Sequence, residues 1–237
     1  MVPTLEPIDL RRLTPARVSL GRTGGTVPLR EVLDFQLAHA RARDAVHARF
    51  DAVGIAAETE GLVVRSAARD RAEYLRRPDL GRKLADSDRK LLSELRGEFD
   101  IALVVADGLS PLAIHRNAVE LLRALVPKLE GWRIAPVVVV EQGRVAIGDD
   151  IGHTLGSSLV VVLIGERPGL ASPDSMGIYV TWNPAPGRAD AERNCISNVR
   201  PEGLSPGAAA QLLFLLLEKA RGHRLTGVAL AGALALK

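Results

Sequence analysis

Three apolar runs constrain this chain more than anything else in it. IALVVA (Ile101–Ala106), PVVVV (Pro136–Val140) and LVVVLI (Leu159–Ile164) are almost wholly β-branched or aliphatic, with no polar alternation. That is the pattern of parallel strands covered on both faces. Each run stops at a turn mixing glycine with polar residues: DGLS (Asp107–Ser110), EQGR (Glu141–Arg144) and GERPGL (Gly165–Leu170). In open α/β sheets ligands sit beyond the carboxyl ends of the strands, so three such turns predict one convergent binding site.

The spacing between the runs supplies the helices. Ser110-Pro111 and Ser205-Pro206 are helix starts, the hydroxyl capping and the proline fixing the first turn without wasting an amide. The first leads Leu112, Ile114, Val119, Leu122 and Val126 to the second strand, making a strand–helix–strand unit with a right-handed crossover. The second carries Ala209, Leu212, Leu213, Leu216 and Leu217, and Asp149–Leu155 is a short connecting helix. MGIYVTW (Met176–Trp182) is amphipathic and is expected nearer an edge of the sheet, and LVVRSAA (Leu62–Ala68) allows a further short strand. Upstream, Pro28 opens a helix running to about Phe50, with Leu29, Val32, Leu33, Leu37 and Ala40 on one face. Gly54 closes that helix or begins the next turn, and Ser87 caps another bearing Leu91, Leu92 and Leu95. Met1–Gly25 is an irregular arm, either wrapping a partner or mobile. The tail Leu225–Lys237 is either a packed extension or a helix. The expected fold class is α/β, a mostly parallel sheet with helices on both faces (residues 98–237), preceded by a mainly helical region (residues 1–97).

Composition narrows the partners. Aromatic residues make up 3% of the chain and 31 Lys+Arg stand against 28 Asp+Glu, so base stacking and phosphate tracking have little to work with. A single cysteine, Cys195, excludes a disulfide framework and fits a reducing compartment. The opening MVPTLEPIDLRRL lacks the apolar core of a secretory leader, and no apolar run is long enough to span a bilayer. A cytoplasmic protein, with neither nucleic acid nor membrane as partner, is expected.

Familiar catalytic signatures are absent: no Walker A loop, no GxGxxG, no CxxC, no HExxH and no GxSxG. The five histidines have no metal-ligand spacing, and Asp149-Asp150 is either a carboxylate pair or a complement to a helix dipole. A nucleotide site would need a helix N-terminus such as Ser110-Pro111, but the glycine fingerprint is missing. What remains is a set of binding loops. Glu166 follows a buried strand, where its carboxylate either accepts hydrogen bonds from ligand amides or pairs with Arg167 or Arg193. Gly143 would let the backbone at Arg144 and Val145 approach a bulky ligand. Cys195 lies in the polar NCISN, either lining a pocket or as a buried structural thiol.

At these residues a resemblance emerges. DRAEYLRRPDLGRKL, VVADGLSPLAI, GRVAIGDDIGHTLGSSLVVVLIGERPGL and AERNCISN, in that order, closely resemble the small (light) subunit of adenosylcobalamin-dependent ethanolamine ammonia-lyase. The resemblance covers nearly the whole chain, from about Leu10 to the helix after Ser205. It implies a Rossmann-like domain that holds cobalamin against a large TIM-barrel subunit, in a hetero-oligomer turning ethanolamine into acetaldehyde and ammonia by a radical route. The cofactor contacts it implies fall on Val145 in GRVAI, Glu166 in GERPG and Cys195 in NCISN, with no catalytic residue and no protein metal ligand of its own. It also implies that residues 1–97 pack on the large subunit; the alternative is a mainly structural assembly subunit with few cofactor contacts. DxHxxG, the motif of cobalamin domains that replace the lower ligand with histidine, is absent, in keeping with a family that retains dimethylbenzimidazole on cobalt. Family members from enteric bacteria carry an N-terminal extension linked to microcompartment targeting, whereas the matching region here starts almost at Met1, which counts against that location.

Overall fold

The computed structural model describes residues 9–14 and 16–235; the parts of the predicted N-terminal arm and tail that fall at 1–8, 15 and 236–237 lie outside them. The fold is mixed α/β. Six strands form one sheet in the order β1-β3-β2-β4-β5-β6. They are β1 (Leu62–Arg65), β2 (Phe99–Ala106), β3 (Val138–Glu141), β4 (Ser157–Gly165), β5 (Met176–Trp182) and β6 (Arg193–Val199). The first four are parallel neighbours, and β5 and β6 pair antiparallel. Eight α-helices lie among the described residues: α1 (Leu29–His47), α2 (Ala52–Thr59), α3 (Arg71–Arg76), α4 (Asp86–Glu94), α5 (Pro111–Leu125), α6 (Ile147–Leu155), α7 (Pro206–His223) and α8 (Gly227–Ala235).

The unbroken apolar runs are explained by two cores, one on each face of the sheet. Ile101, Leu103, Val105, Leu159, Val161 and Leu163 point to the face covered by α2, α5 and α7. The intervening Ala102, Val104, Ala106, Val160, Val162 and Ile164 point to the face covered by α4 and α6. Burying each such valine, leucine or isoleucine contributes about 1.5–3 kcal/mol, so a polar residue within these runs would be costly on either face. Ser110 and Ser205 cap α5 and α7 as expected, their side chains accepting from the Ala113 and Ala208 amides.

Several expectations are corrected. The polar NCISN segment lies in a strand, β6, which takes the edge position and moves β5 one place inward. Ser87 lies inside α4 rather than capping it; the cap position is Ala85. Gly54 is inside α2, whose Asp51 cap accepts from its amide. α1 stops at His47, and its row Leu29, Val32, Leu33 and Leu37 is exposed, the buried positions being Ala38 and Ala45. Of the two readings left open for the tail, the described part takes the helical one, α8. The sheet and its cores also draw on β1 and α2, N-terminal to residue 98.

Candidate functional site

The carboxyl ends of β2, β3 and β4 meet at one rim. DGLS leaves β2 with Gly108 at φ 59, left-handed backbone that favours glycine. The Leu109 amide then donates to the Gly165 carbonyl at 2.9 Å. A side chain on Gly165 would stand 2.1 Å from the Ser110 carbonyl oxygen and 2.5 Å from that of Asp107. The glycines after β2 and β4 thus let the two turns lie backbone against backbone. The Ser110 hydroxyl ties this corner to the next loop, donating to the Pro173 carbonyl at 2.7 Å.

The turn after β3 is tied to the same corner. Gln142 is left-handed at φ 59. The Gly143 amide donates to Asp107 Oδ1 at 2.9 Å, the Tyr74 hydroxyl to the Gly143 carbonyl at 3.1 Å, and the Arg144 amide to the Gly81 carbonyl at 2.7 Å. Gly143 is glycine because of what lies beneath it: a Cβ there would be 2.8 Å from Val140 Cγ1 and 3.0 Å from Ala106 Cβ. Close approach by an outside ligand is not what demands it.

Val145 and Glu166 line one cavity of about 150 Å³ together with Tyr74, Leu109, Arg144 and Tyr179. Neither arginine weighed at the sequence level forms an ion pair with Glu166 among the described residues. Its carboxylate instead accepts from the Ser175 and Ser197 hydroxyls, the latter at 2.6 Å, and from the Asn198 amide at 3.4 Å. A carboxylate offers about four lone-pair directions, so capacity remains for a further donor. Arg193 turns into the protein, 2.6 Å from Asp149. Asp150 points elsewhere, to Arg89 and the Leu84 amide, so the adjacent aspartates do not act as a pair.

Cys195 faces Tyr179 across the β5–β6 ladder and is exposed, so the buried-thiol alternative does not hold. Partial burial of its sulfur pushes the thiol up, and the nearby Glu166 adds to this while the Tyr179 hydroxyl opposes it. A thiol so placed stays protonated near neutrality and is a poor nucleophile. Val145 and Glu166 line the recess together with Tyr179, whose cross-strand neighbour is Cys195; Cys195 itself lies outside the lining. A larger cleft, about 740 Å³ between α1 and the loop at Pro173, includes none of them.

The recess is too small to enclose a large ligand such as a corrinoid, and the remaining acceptor capacity of Glu166 stands at its wall. The exposed Cys195, Ser197 and Asn198 extend that wall outward. Sequence reasoning missed Tyr74, Asp107, Ser175, Tyr179, Ser197 and Asn198 as individual contributors. Ser197 and Asn198 lay within NCISN, Asp107 within the DGLS turn already expected at the site, Tyr74 within DRAEYLRRPDLGRKL and Tyr179 within MGIYVTW, but none of them had been given a role.

Residues 6–231 match the family model described as ethanolamine ammonia-lyase light chain (EutC). The chain is 55% identical over 232 residues to the ethanolamine ammonia-lyase small subunit of Pseudomonas fluorescens (strain Pf0-1), covering 93% of this chain and 85% of that protein. The protein of the same name from Azotobacter vinelandii is 54% identical over 233 residues, covering 94% and 86% of the two chains. That from Ralstonia nicotianae is 52% identical over 235 residues, covering 94% and 87%.

Proposed function

The chain belongs to the ethanolamine ammonia-lyase light-chain family, and from that premise we propose that it is the cobalamin-holding small subunit of an adenosylcobalamin-dependent ethanolamine ammonia-lyase. When bound, the cofactor supplies the adenosyl radical that starts conversion of ethanolamine to acetaldehyde and ammonia. This chain's own part is to hold and orient. Glu166 accepts from a corrin side-chain amide, Val145 packs against the ring edge, and Cys195 lines the outer wall as a protonated thiol. Tyr179 keeps water from the recess. Substrate chemistry belongs to the large subunit, on which the region 1–97 docks, and the assembly works in the cytoplasm. No helix among the described residues is long and apolar enough to cross a membrane.

The observation that carries this reading is the convergence of Val145, Glu166 and, through Tyr179, Cys195 on one recess at the strand ends. Its test is Glu166→Ala in the complex co-expressed with the large subunit. Losing one hydrogen bond to a charged acceptor should raise KM for adenosylcobalamin about tenfold or more, with the fold intact. Unchanged affinity and turnover remove Glu166 from the site.

A second reading, a buttress with few cofactor contacts, draws on the exposed row Leu29, Leu33 and Leu37 of α1. Cobalamin retention by the large subunit with and without this chain separates the two.

A further inference from the structure

We infer that Asp107, backed by Arg71, is a positioning residue that fixes the Gln142–Val145 turn for cofactor binding. The inference rests on the cofactor site proposed above and assigns a role to a residue outside it. The connection after β2 leads to α5 on one face of the sheet, and that after neighbouring β3 leads to α6 on the other. A crevice opens between such strands, and open α/β sheets commonly admit ligands there.

Here the Asp107 side chain closes that crevice. Its Oδ1 accepts from the Gly108 amide at 2.9 Å and from the Gly143 amide at 2.9 Å, across the gap between β2 and β3. Its Oδ2 accepts from Arg71 Nη1 at 3.1 Å, and the same nitrogen donates to the Gly108 carbonyl at 2.7 Å. Arg71 is itself anchored to the Val46 carbonyl at 2.9 Å. The Tyr74 ring lies between two guanidiniums, Arg71 at 4.8 Å and Arg144 at 4.2 Å from its centroid. Asp107 is 1% exposed and is not among the residues lining the recess, so it acts on that recess through the backbone it holds, Gly108 in the wall and Gly143 next to Arg144 and Val145. A buried ion pair contributes little net stability over an apolar filling of similar volume. Stability alone does not account for a charge at this crevice, whereas a fixed turn does.

The test uses the complex with the large subunit and reads KM for adenosylcobalamin, kcat at saturating cofactor, and hydrogen exchange at the Gly143 and Arg144 amides. Asp107→Asn should raise KM about tenfold, as expected for a lost charge-assisted hydrogen bond, and leave kcat within about twofold. It should also speed exchange at those amides. Tyr74→Phe, which removes only the hydroxyl on the Gly143 carbonyl, should give a smaller rise in the same direction, and it decides the matter if Asp107→Asn fails to assemble. Asp100→Asn breaks ion pairs with Arg133 and Arg221 at the opposite end of β2 and should leave KM alone. If Glu166→Ala raises KM while Asp107→Asn and Tyr74→Phe do not, positioning is overturned and the cofactor site stands. A fall in kcat at unchanged KM also overturns it. If none of the three moves KM, the site itself is wrong.

Discussion

Arg193→Met tests how β6 is held. The Arg193 and Asp149 side chains are 3% and 1% exposed and 2.6 Å apart. Arg193 also donates to Thr181 Oγ1 at 3.2 Å and to the Arg188 carbonyl at 2.8 Å. Asp149 Oδ2 is buried without a partner, so its other oxygen depends on the arginine. Burial already pushes the Asp149 carboxyl up with Arg193 in place. Breaking a buried pair by removing one member costs about 3–5 kcal/mol. At about 2–4 °C per kcal/mol for a chain of this size, the thermal midpoint should fall by roughly 6–20 °C, read by far-ultraviolet circular dichroism. The sign with pH follows from the same carboxyl. Its raised folded value means that the charged form carries the penalty, present above that value and relieved as pH falls through it. The loss should therefore diminish as pH is lowered. Replacing both residues, Arg193→Met with Asp149→Leu, should recover most of the loss. A drop under about 2 °C in the single variant, or a double variant as unstable as the single, refutes the reasoning.

Gly165→Ala should push the DGLS turn off β4 and destabilise by about 1–3 kcal/mol, since the new Cβ meets backbone atoms of Ser110 and Asp107; an unchanged urea midpoint contradicts the close packing. Asp107 is pushed up to about 6 by burial that outweighs Arg71 and its backbone donors. Its contribution to stability is therefore full below the ordinary carboxylate range and lost as pH rises through about 6. Urea midpoints of Asp107→Asn and the parent chain should differ most near about pH 4 and least near about pH 7.5, and a gap that widens with pH reverses the assignment. Leu33→Glu with Leu37→Glu, on the exposed row of α1, should move stability by no more than about 0.5 kcal/mol each yet stop assembly with the large subunit; undiminished complex on gel filtration removes α1 from the docking face.

Much of the fold was legible because the central stretches of β2, β3 and β4 are buried on both faces and must be apolar there, and runs this short between glycine-bearing turns read as strands. The serine–proline caps of α5 and α7 were legible for a similar reason, since their chemistry is local. β6 was hidden by its spacing. Arg193, Ile196 and Val199 are its buried residues, three apart rather than two: Arg193 and Ile196 are buried on opposite faces, and a register shift opposite Met176 and Ile178 inserts an extra residue between Ile196 and Val199. The row on α1 predicted a helix correctly, but periodicity does not say whether an apolar face meets the chain's own core or is left open. Val145, Glu166 and Cys195 were reachable from strand ends and family motifs. Asp107 stood in a strand-end turn and Arg71 and Tyr74 in a family motif, but their joining into one cluster was not legible, because it forms only when α3 folds against turns more than thirty residues away.

The irregularity that hid β6 also shapes how the sheet ends. An edge strand offers a row of free amides and carbonyls to any passing chain, and proteins commonly spoil that row with kinks or brevity. Here Asn198 turns left-handed at φ 60 beside the register shift, so a straight strand from another molecule can follow β6 only as far as about Ile196. The opposite edge, β1, is four residues long. The most aggregation-prone stretches of this chain, the valine-rich strands, are thus walled in by two borders that make poor templates for self-stacking.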